Sequence, residues 1–141
     1  MMAKFDFLLG DWNLDYRVSE SSLSEAATGT GSGTFRKALG GKFVYFDYAA
    51  VVAGKSAQAH ALFGWDDKTK IYRYWWFESS GSYLTASCDF VSDGILVLNW
   101  HDTLLRQSFR KMGPDRILLT MEKPDAAGGS DLILEVMLTR A

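Results

Sequence analysis

The chain is short of the residues that staple proteins together or ligate metals. Cys88 is the one cysteine, so no internal disulfide can form. His60 and His101 are the two histidines. No C-x-x-C or H-x-x-x-H spacing joins them to anything, so no metal site is expected. With Asp47 or Asp89 as a third ligand, the two histidines would have to meet inside the fold to make one. No apolar run approaches the roughly 20 residues that cross a bilayer. Asp6 and Asp11 interrupt any apolar segment at the N-terminus, so a secretory leader is not expected there. Fifteen basic and 17 acidic residues give a net charge of −2. There is no long basic run, which argues against nucleic acid or an anionic membrane as partner. With no disulfide and no leader, the expected location is the cytoplasm.

What the chain does have is aromatic residues and glycine. Five Trp, six Tyr and nine Phe make 14% of the 141 residues, beside 13 glycines. Aromatic side chains suit strands and the walls of apolar pockets. The length suits one domain, residues 1–141, with a core of its own.

Gly10-Asp11-Trp12-Asn13-Leu14-Asp15-Tyr16-Arg17-Val18 alternates strictly. Trp12, Leu14, Tyr16 and Val18 share one side, the pattern of a half-buried strand. Residues 1–9 before it predict a short helical turn or plug. Ser22-Leu23-Ser24-Glu25 has the form of a capping box, but no apolar helix follows it. Thr28 to Arg36 alternates glycine with hydroxyl residues, a strand with one bare face. No Lys-Ser/Thr ending makes it a phosphate loop. Glycines so placed mark sharp curvature or the close approach of another backbone.

Further strands are predicted over 43–52, 56–65, 71–78, 82–91, 95–101, 104–112, 116–123 and 132–140. Turn signals separate them at Leu39-Gly40-Gly41-Lys42, Ala53-Gly54-Lys55, Asp66 to Lys70, Ser79-Ser80-Gly81, Ser92-Asp93-Gly94 and Gly113-Pro114-Asp115. About ten short strands at regular spacing, with no long helical segment, predict an all-β fold: a single antiparallel barrel. Leu132, Val136 and Leu138 also fit a helix, so a C-terminal helix over a curved sheet is the competing architecture.

The opening Gly10-Asp11-Trp12, preceded by Phe7-Leu8-Leu9, resembles the signature of the calycins, the lipocalins and fatty-acid-binding proteins. In those barrels the tryptophan closes one end and an arginine near the end of the last strand packs over it. The resemblance implies that Arg140 covers Trp12 here, an attraction between a guanidinium and an indole face. Gly29 to Gly33, Leu39-Gly40-Gly41, and Gly64-Trp65-Asp66 leading into Tyr72-Arg73-Tyr74-Trp75-Trp76 are similar, in order and spacing, to an uncharacterised family of small bacterial lipocalin-like barrels. That likeness spans essentially the whole chain and implies a fold without an activity. Nitrobindin, a ten-stranded haem-binding barrel, is a more distant likeness. It uses a late histidine, and residues 115–140 contain none, so no haem or other cofactor is expected.

A barrel of this size can hold one small ligand. The polar members of otherwise apolar strands are the natural contacts: Tyr45, Gln58, His60, Arg73, Asn99, His101 and Gln107, with Trp75 as an aromatic wall. Arg73 is the preferred anchor for a carboxylate or other anion. Phase does not settle which face of 71–77 is inside, because Tyr72, Tyr74 and Trp76 on one side face off against Ile71, Arg73, Trp75 and Phe77 on the other.

The expected function is non-covalent binding of a small, largely apolar molecule, with an anionic group as an option. One alternative is a small barrel isomerase, lyase or hydrolase using His60 or His101 as general base, with Asp47 as a further acid/base group. Another is a homodimeric interaction module, with a second copy covering 71–77. Nucleophile signals are absent: there is no Gly-x-Ser-x-Gly. Ser32 lacks the elbow-and-helix context, and Cys88 is in phase with Leu84, Ala86 and Phe90, as a core residue would be.

Overall fold

In a computed structural model, residues 2–21, 24–101 and 103–141 are described; Ser22 and Leu23 of the capping-box signal lie outside them. A 3-10 helix over Met2–Leu8 precedes ten strands. These are β1 (Gly10–Val18), β2 (Ala27–Ala38), β3 (Phe43–Val52), β4 (Lys55–Asp66), β5 (Ile71–Glu78), β6 (Tyr83–Ser92), β7 (Ile95–Trp100), β8 (Arg106–Gly113), β9 (Arg116–Pro124) and β10 (Ser130–Arg140). Each strand pairs antiparallel with its sequence neighbours, and β10 returns to β1 to close the barrel. No sheet edge is left open, which removes the hazard of edge-to-edge pairing. No helix among the described residues is long and apolar enough to cross a membrane.

The C-terminal segment is a strand and not a helix. β10 is paired on both sides, with Leu138 opposite Leu14 of β1 and Ile117 of β9. A helix there would leave both neighbours with unpaired backbone groups. Its apolar residues also alternate once a register shift between Leu132 and Leu134 is passed. Closure of the sheet thus overrides the helical spacing of Leu132, Val136 and Leu138.

Alternation decides what lies inside. Trp12 and Leu14 of β1, Val44 and Phe46 of β3, Leu96 and Leu98 of β7, and Val136 and Leu138 of β10 are all buried. The glycine-rich strand behaves as its pattern predicts. Gly29, Gly31 and Gly33 sit opposite Tyr16, Leu14 and Trp12, so their bare faces look inward. A Cβ on Gly33 would meet the Phe46 ring at 2.6 Å and the Tyr48 Cβ at 2.9 Å; one on Gly31 would meet the Ala50 Cβ at 2.8 Å. Only glycine lets β2 and β3 curl this tightly.

One end of the barrel is plugged. Phe5 and Leu8 of the 3-10 helix are fully buried. Phe5 packs against Phe90, Phe63 and Tyr72, with ring centroids 4.8, 5.2 and 5.4 Å away. The Trp12 indole N–H donates to the Leu8 carbonyl at 2.7 Å, tying plug to wall. Arg140 covers Trp12 as the resemblance implied, its guanidinium carbon 4.2 Å from the ring centroid. It also donates to the carbonyls of Leu9 (2.8 Å) and Pro114 (3.1 Å), capping loose backbone on both sides. Gly10 makes room for it: with φ at +123°, a Cβ there would lie 2.6 Å from Arg140 Nη1. Phe35 stacks on Phe46 at 3.8 Å, and Phe109 closes on Phe35 and Phe63, so this half is filled with rings.

Candidate ligand cavity

The other half of the barrel is not filled. A cavity of about 380 Å³ opens there, within the range of small-molecule sites, roughly 300–1,000 Å³. Its origin is in the sequence. Gly31 of β2, Ala50 of β3 and Ala57 of β4 stand side by side in one cross-strand row, with Ala59 in the next row of β4. Small side chains on this wall leave the volume that Phe35, Phe46 and Phe63 occupy nearer the plug.

The facing walls are aromatic and aliphatic. Tyr74 and Trp76 come from β5, Trp100 from β7, Leu119 and Met121 from β9, and Leu134 and Val136 from β10. The Trp100 ring stands edge-on to Tyr74 at 5.5 Å and to Trp76 at 6.3 Å. The charged lining residues are Lys55, where β4 starts, and Glu78, where β5 ends; both stand at the mouth, beside Thr103.

Behind the mouth, Tyr16, Tyr48, Tyr74 and Gln107 bring polar atoms to this space, as do the indoles of Trp76 and Trp100; the Trp100 N–H is buried with no hydrogen-bond partner among the described residues. Gln107 is the buried polar residue of the core, 5% exposed. The Trp76 indole donates to the Tyr48 hydroxyl oxygen at 2.8 Å. Burial raises the Tyr16 phenol above its ordinary range, and the neighbouring Tyr48 adds to it. Tyr48 is also raised, mainly by burial and secondarily by the Glu78 carboxylate, with the Trp76 hydrogen bond acting in the opposite direction. Tyr74 is pushed furthest, by full burial and then by Tyr48, Cys88 and Tyr16. All three phenols are therefore neutral hydroxyls at physiological pH.

Of the residues expected from sequence to line the site, Gln107 does so. The other seven lie elsewhere. On β3 and β4, Tyr45, Gln58 and His60 are on the outer face, because Phe46, Ala59 and Ala61 take the inner one. There the His60 Nδ1 bonds Asp47, which also accepts from Arg36 at 2.9 Å, and the Tyr45 ring lies 5.8 Å from His60 with Arg36 over it. Arg73 is outside too, held by Asp66 at 2.8 Å and Thr69 at 3.3 Å. It draws the Asp66 carboxyl well below the usual carboxylate range, helped by Thr69. Trp75 packs outside against Phe43, ring centroids 6.2 Å apart. Asn99 is exposed between the buried Leu98 and Trp100. His101 lies past the end of β7, exposed, its Nδ1 3.5 Å from the Thr85 hydroxyl.

Several expectations change with this placement. An anion anchored by Arg73 would sit outside the barrel. Neither histidine reaches the cavity, and the structure does not bring His60 and His101 together, so neither is placed to act as a base on a molecule held inside. Among the described residues no group of three or more His, Cys, Asp or Glu could hold a metal ion. Cys88 is buried, its thiol pushed up chiefly by that burial and then by Asp89, which suits a packing role. The sequence reading passed over Tyr16, Tyr48, Tyr74, Trp76 and Trp100. Their signal was present: each is in phase with an apolar residue two positions away.

The model of a family described as a protein of unknown function, DUF1579, matches residues 2–93. The chain belongs to that family. The DUF1579 match runs from the plug through β6. No curated protein matches the chain in sequence. Solved structures do match in fold. Rv2717c from M. tuberculosis has a TM-score of 0.67 at 13% identity, covering 99% of this chain and 96% of that one. An S-type phycobiliprotein lyase, CPES, from Guillardia theta has a TM-score of 0.59 at 8% identity, covering 97% and 90%. A de novo designed fluorescence-activating β-barrel has a TM-score of 0.53 at 11% identity over both whole chains. At these identities the likeness is one of fold.

Proposed function

We propose that this DUF1579 barrel binds a small, largely apolar molecule in the open half of its interior. The observation that carries the reading is the contrast between the two halves. One is packed with phenylalanine rings, while the other keeps about 380 Å³ free behind a wall of glycine and alanine. Protein interiors are normally close-packed, and a void of this size forfeits contacts that larger side chains would make. A fold that needed only stability would fill it. A designed barrel of similar fold is described as fluorescence-activating.

Native mass spectrometry of the protein as purified tests this reading. The expected result is a population carrying the mass of one small organic molecule, released by mild activation. A uniformly bare protein that also takes up no member of a library of neutral and anionic apolar compounds would contradict it.

A further inference from the structure

The donors inside the cavity point to the chemistry of what it holds. Gln107 has a carboxamide with two donor hydrogens and an acceptor oxygen. The residue is only 5% exposed, its amide atoms are open to the cavity, and its side chain makes no hydrogen bond among the described residues. The Trp100 indole N–H, in the same lining, is buried with no partner among them; buried polar groups are almost always satisfied, and one left bare costs on the order of 1–3 kcal/mol. The phenols repeat the pattern. Tyr48 accepts from Trp76 and gives its own hydrogen to no described residue; Tyr16 and Tyr74 have no hydrogen-bond partner there either. Five side chains, from β1, β3, β5, β7 and β8, thus contribute unspent donors to the lining of one space.

Among the described residues, the lining behind the mouth carries no charge. Lys55 and Glu78 stand at the mouth, one of each sign. An anion driven into the interior would lose its water and meet no cation, a penalty of several kcal/mol. A purely hydrocarbon ligand would leave every donor bare. The walls favour flat rings, since Tyr74, Trp76 and Trp100 offer faces and edges to an aromatic guest.

We infer that the ligand is a neutral, planar aromatic molecule carrying an acceptor oxygen, of the aromatic ketone or quinone class, and that Gln107 with the Tyr16, Tyr48 and Tyr74 hydroxyls recognises that oxygen. The inference rests on the binding function proposed above and names the ligand class for the same cavity. Burial holds the phenols protonated, so they stay donors across the physiological pH range.

A matched set of tricyclic probes tests it: fluorenone, fluorene and fluorenecarboxylate, titrated by fluorescence or calorimetry. Fluorenone should bind about tenfold more tightly than fluorene, the scale of one net hydrogen bond, and fluorenecarboxylate should be the weakest. In Gln107→Leu the fluorenone-to-fluorene ratio should fall below about threefold. Tyr74→Phe should lower the ratio in the same direction, which keeps the test intact if the Gln107 variant does not fold. Equal binding of fluorene and fluorenone would overturn the inference and leave the cavity a binding site. Tightest binding by the carboxylate, lost in Lys55→Ala, would overturn it in favour of an anion at the mouth. Failure of all three probes to bind would overturn the inference alone, since the binding function is decided by the native mass spectrometry and the compound library.

Discussion

The indole N–H of Trp76 donates to the hydroxyl oxygen of Tyr48 at 2.8 Å, across the intervening strand β4. Ala59 and Ala61 stand between these strands on the inner face. Small residues on β4 let a β5 side chain reach a β3 side chain over the cavity floor. The bond holds the Trp76 ring and leaves the Tyr48 hydroxyl hydrogen free to donate elsewhere.

Tyr48→Phe removes that acceptor and leaves a partly buried indole N–H without its partner. The expected loss is about 0.5–1.5 kcal/mol of stability, read by urea denaturation. The fold should persist, since the phenyl ring keeps its stacking with Phe46 at 4.6 Å. An unchanged midpoint would show that the bond carries no net stabilisation.

Trp12 and Arg140 make a prediction about stability alone. Trp12 is 1% exposed and packs between plug and barrel. Trp12→Ala should cost about 3–5 kcal/mol. Arg140→Met should cost about 1–3 kcal/mol, because two charge-assisted bonds to carbonyls go with the cation–π contact. The Trp12 and Arg140 effects should be less than additive in a double-mutant cycle. Loss of ligand binding in either variant at unchanged stability would mean that this end of the barrel does more than close it.

Asp66 gives an acid-side pH dependence. Its hydrogen bonds, first of all with Arg73, hold the folded-state carboxyl below its ordinary value of 3.8. A depressed folded pKa contributes stability that is present above the unfolded value and lost as pH falls through the folded one. The melting temperature should therefore drop as pH is lowered from about 5 toward 2, and Arg73→Met should make that drop shallower. An identical acid profile in the variant would remove the ion pair from the account.

The cavity phenols act on the alkaline side. Tyr16, Tyr48 and Tyr74 are raised above the ordinary value of 10.0. A raised folded pKa contributes stability that is complete below the unfolded value and lost as pH climbs through the folded one. Phenolate absorbance from these three should therefore appear together with loss of circular dichroism, in one transition. Full tyrosine ionisation while the barrel remains folded would contradict their burial.

Most of the fold was legible because alternation is a local property. Trp12, Leu14 and Tyr16 announce the first strand, and Gly29, Gly31 and Gly33 announce its tightly curled neighbour. Arg140 could be paired with Trp12 only through a resemblance, since nothing local links residues at opposite ends of a chain. The site was much less legible. Expecting polar residues of apolar strands to face inward placed His60 and Arg73 inside, yet each is held outside by a carboxylate neighbour, Asp47 and Asp66. The feature that makes the cavity is the alignment of Gly31, Ala50 and Ala57. Each is ordinary in its own strand, and they become a wall only when the register brings them together. Gln107 lines the cavity because it is in phase with the buried Phe109 on β8.

The central claim is that the open half of the barrel, and nothing on its outer surface, receives the ligand. Titrating the neutral fluorescent ketone prodan into the wild-type protein and into Ala57→Phe tests it most directly. The new ring would occupy the cavity beside Ala50, where space is available, so the variant should fold with an unchanged or raised melting temperature. The account predicts saturable, one-to-one binding with blue-shifted emission in the wild type, and at least about a tenfold weaker affinity in the variant. Equal prodan binding by the two proteins, both folded, would contradict it.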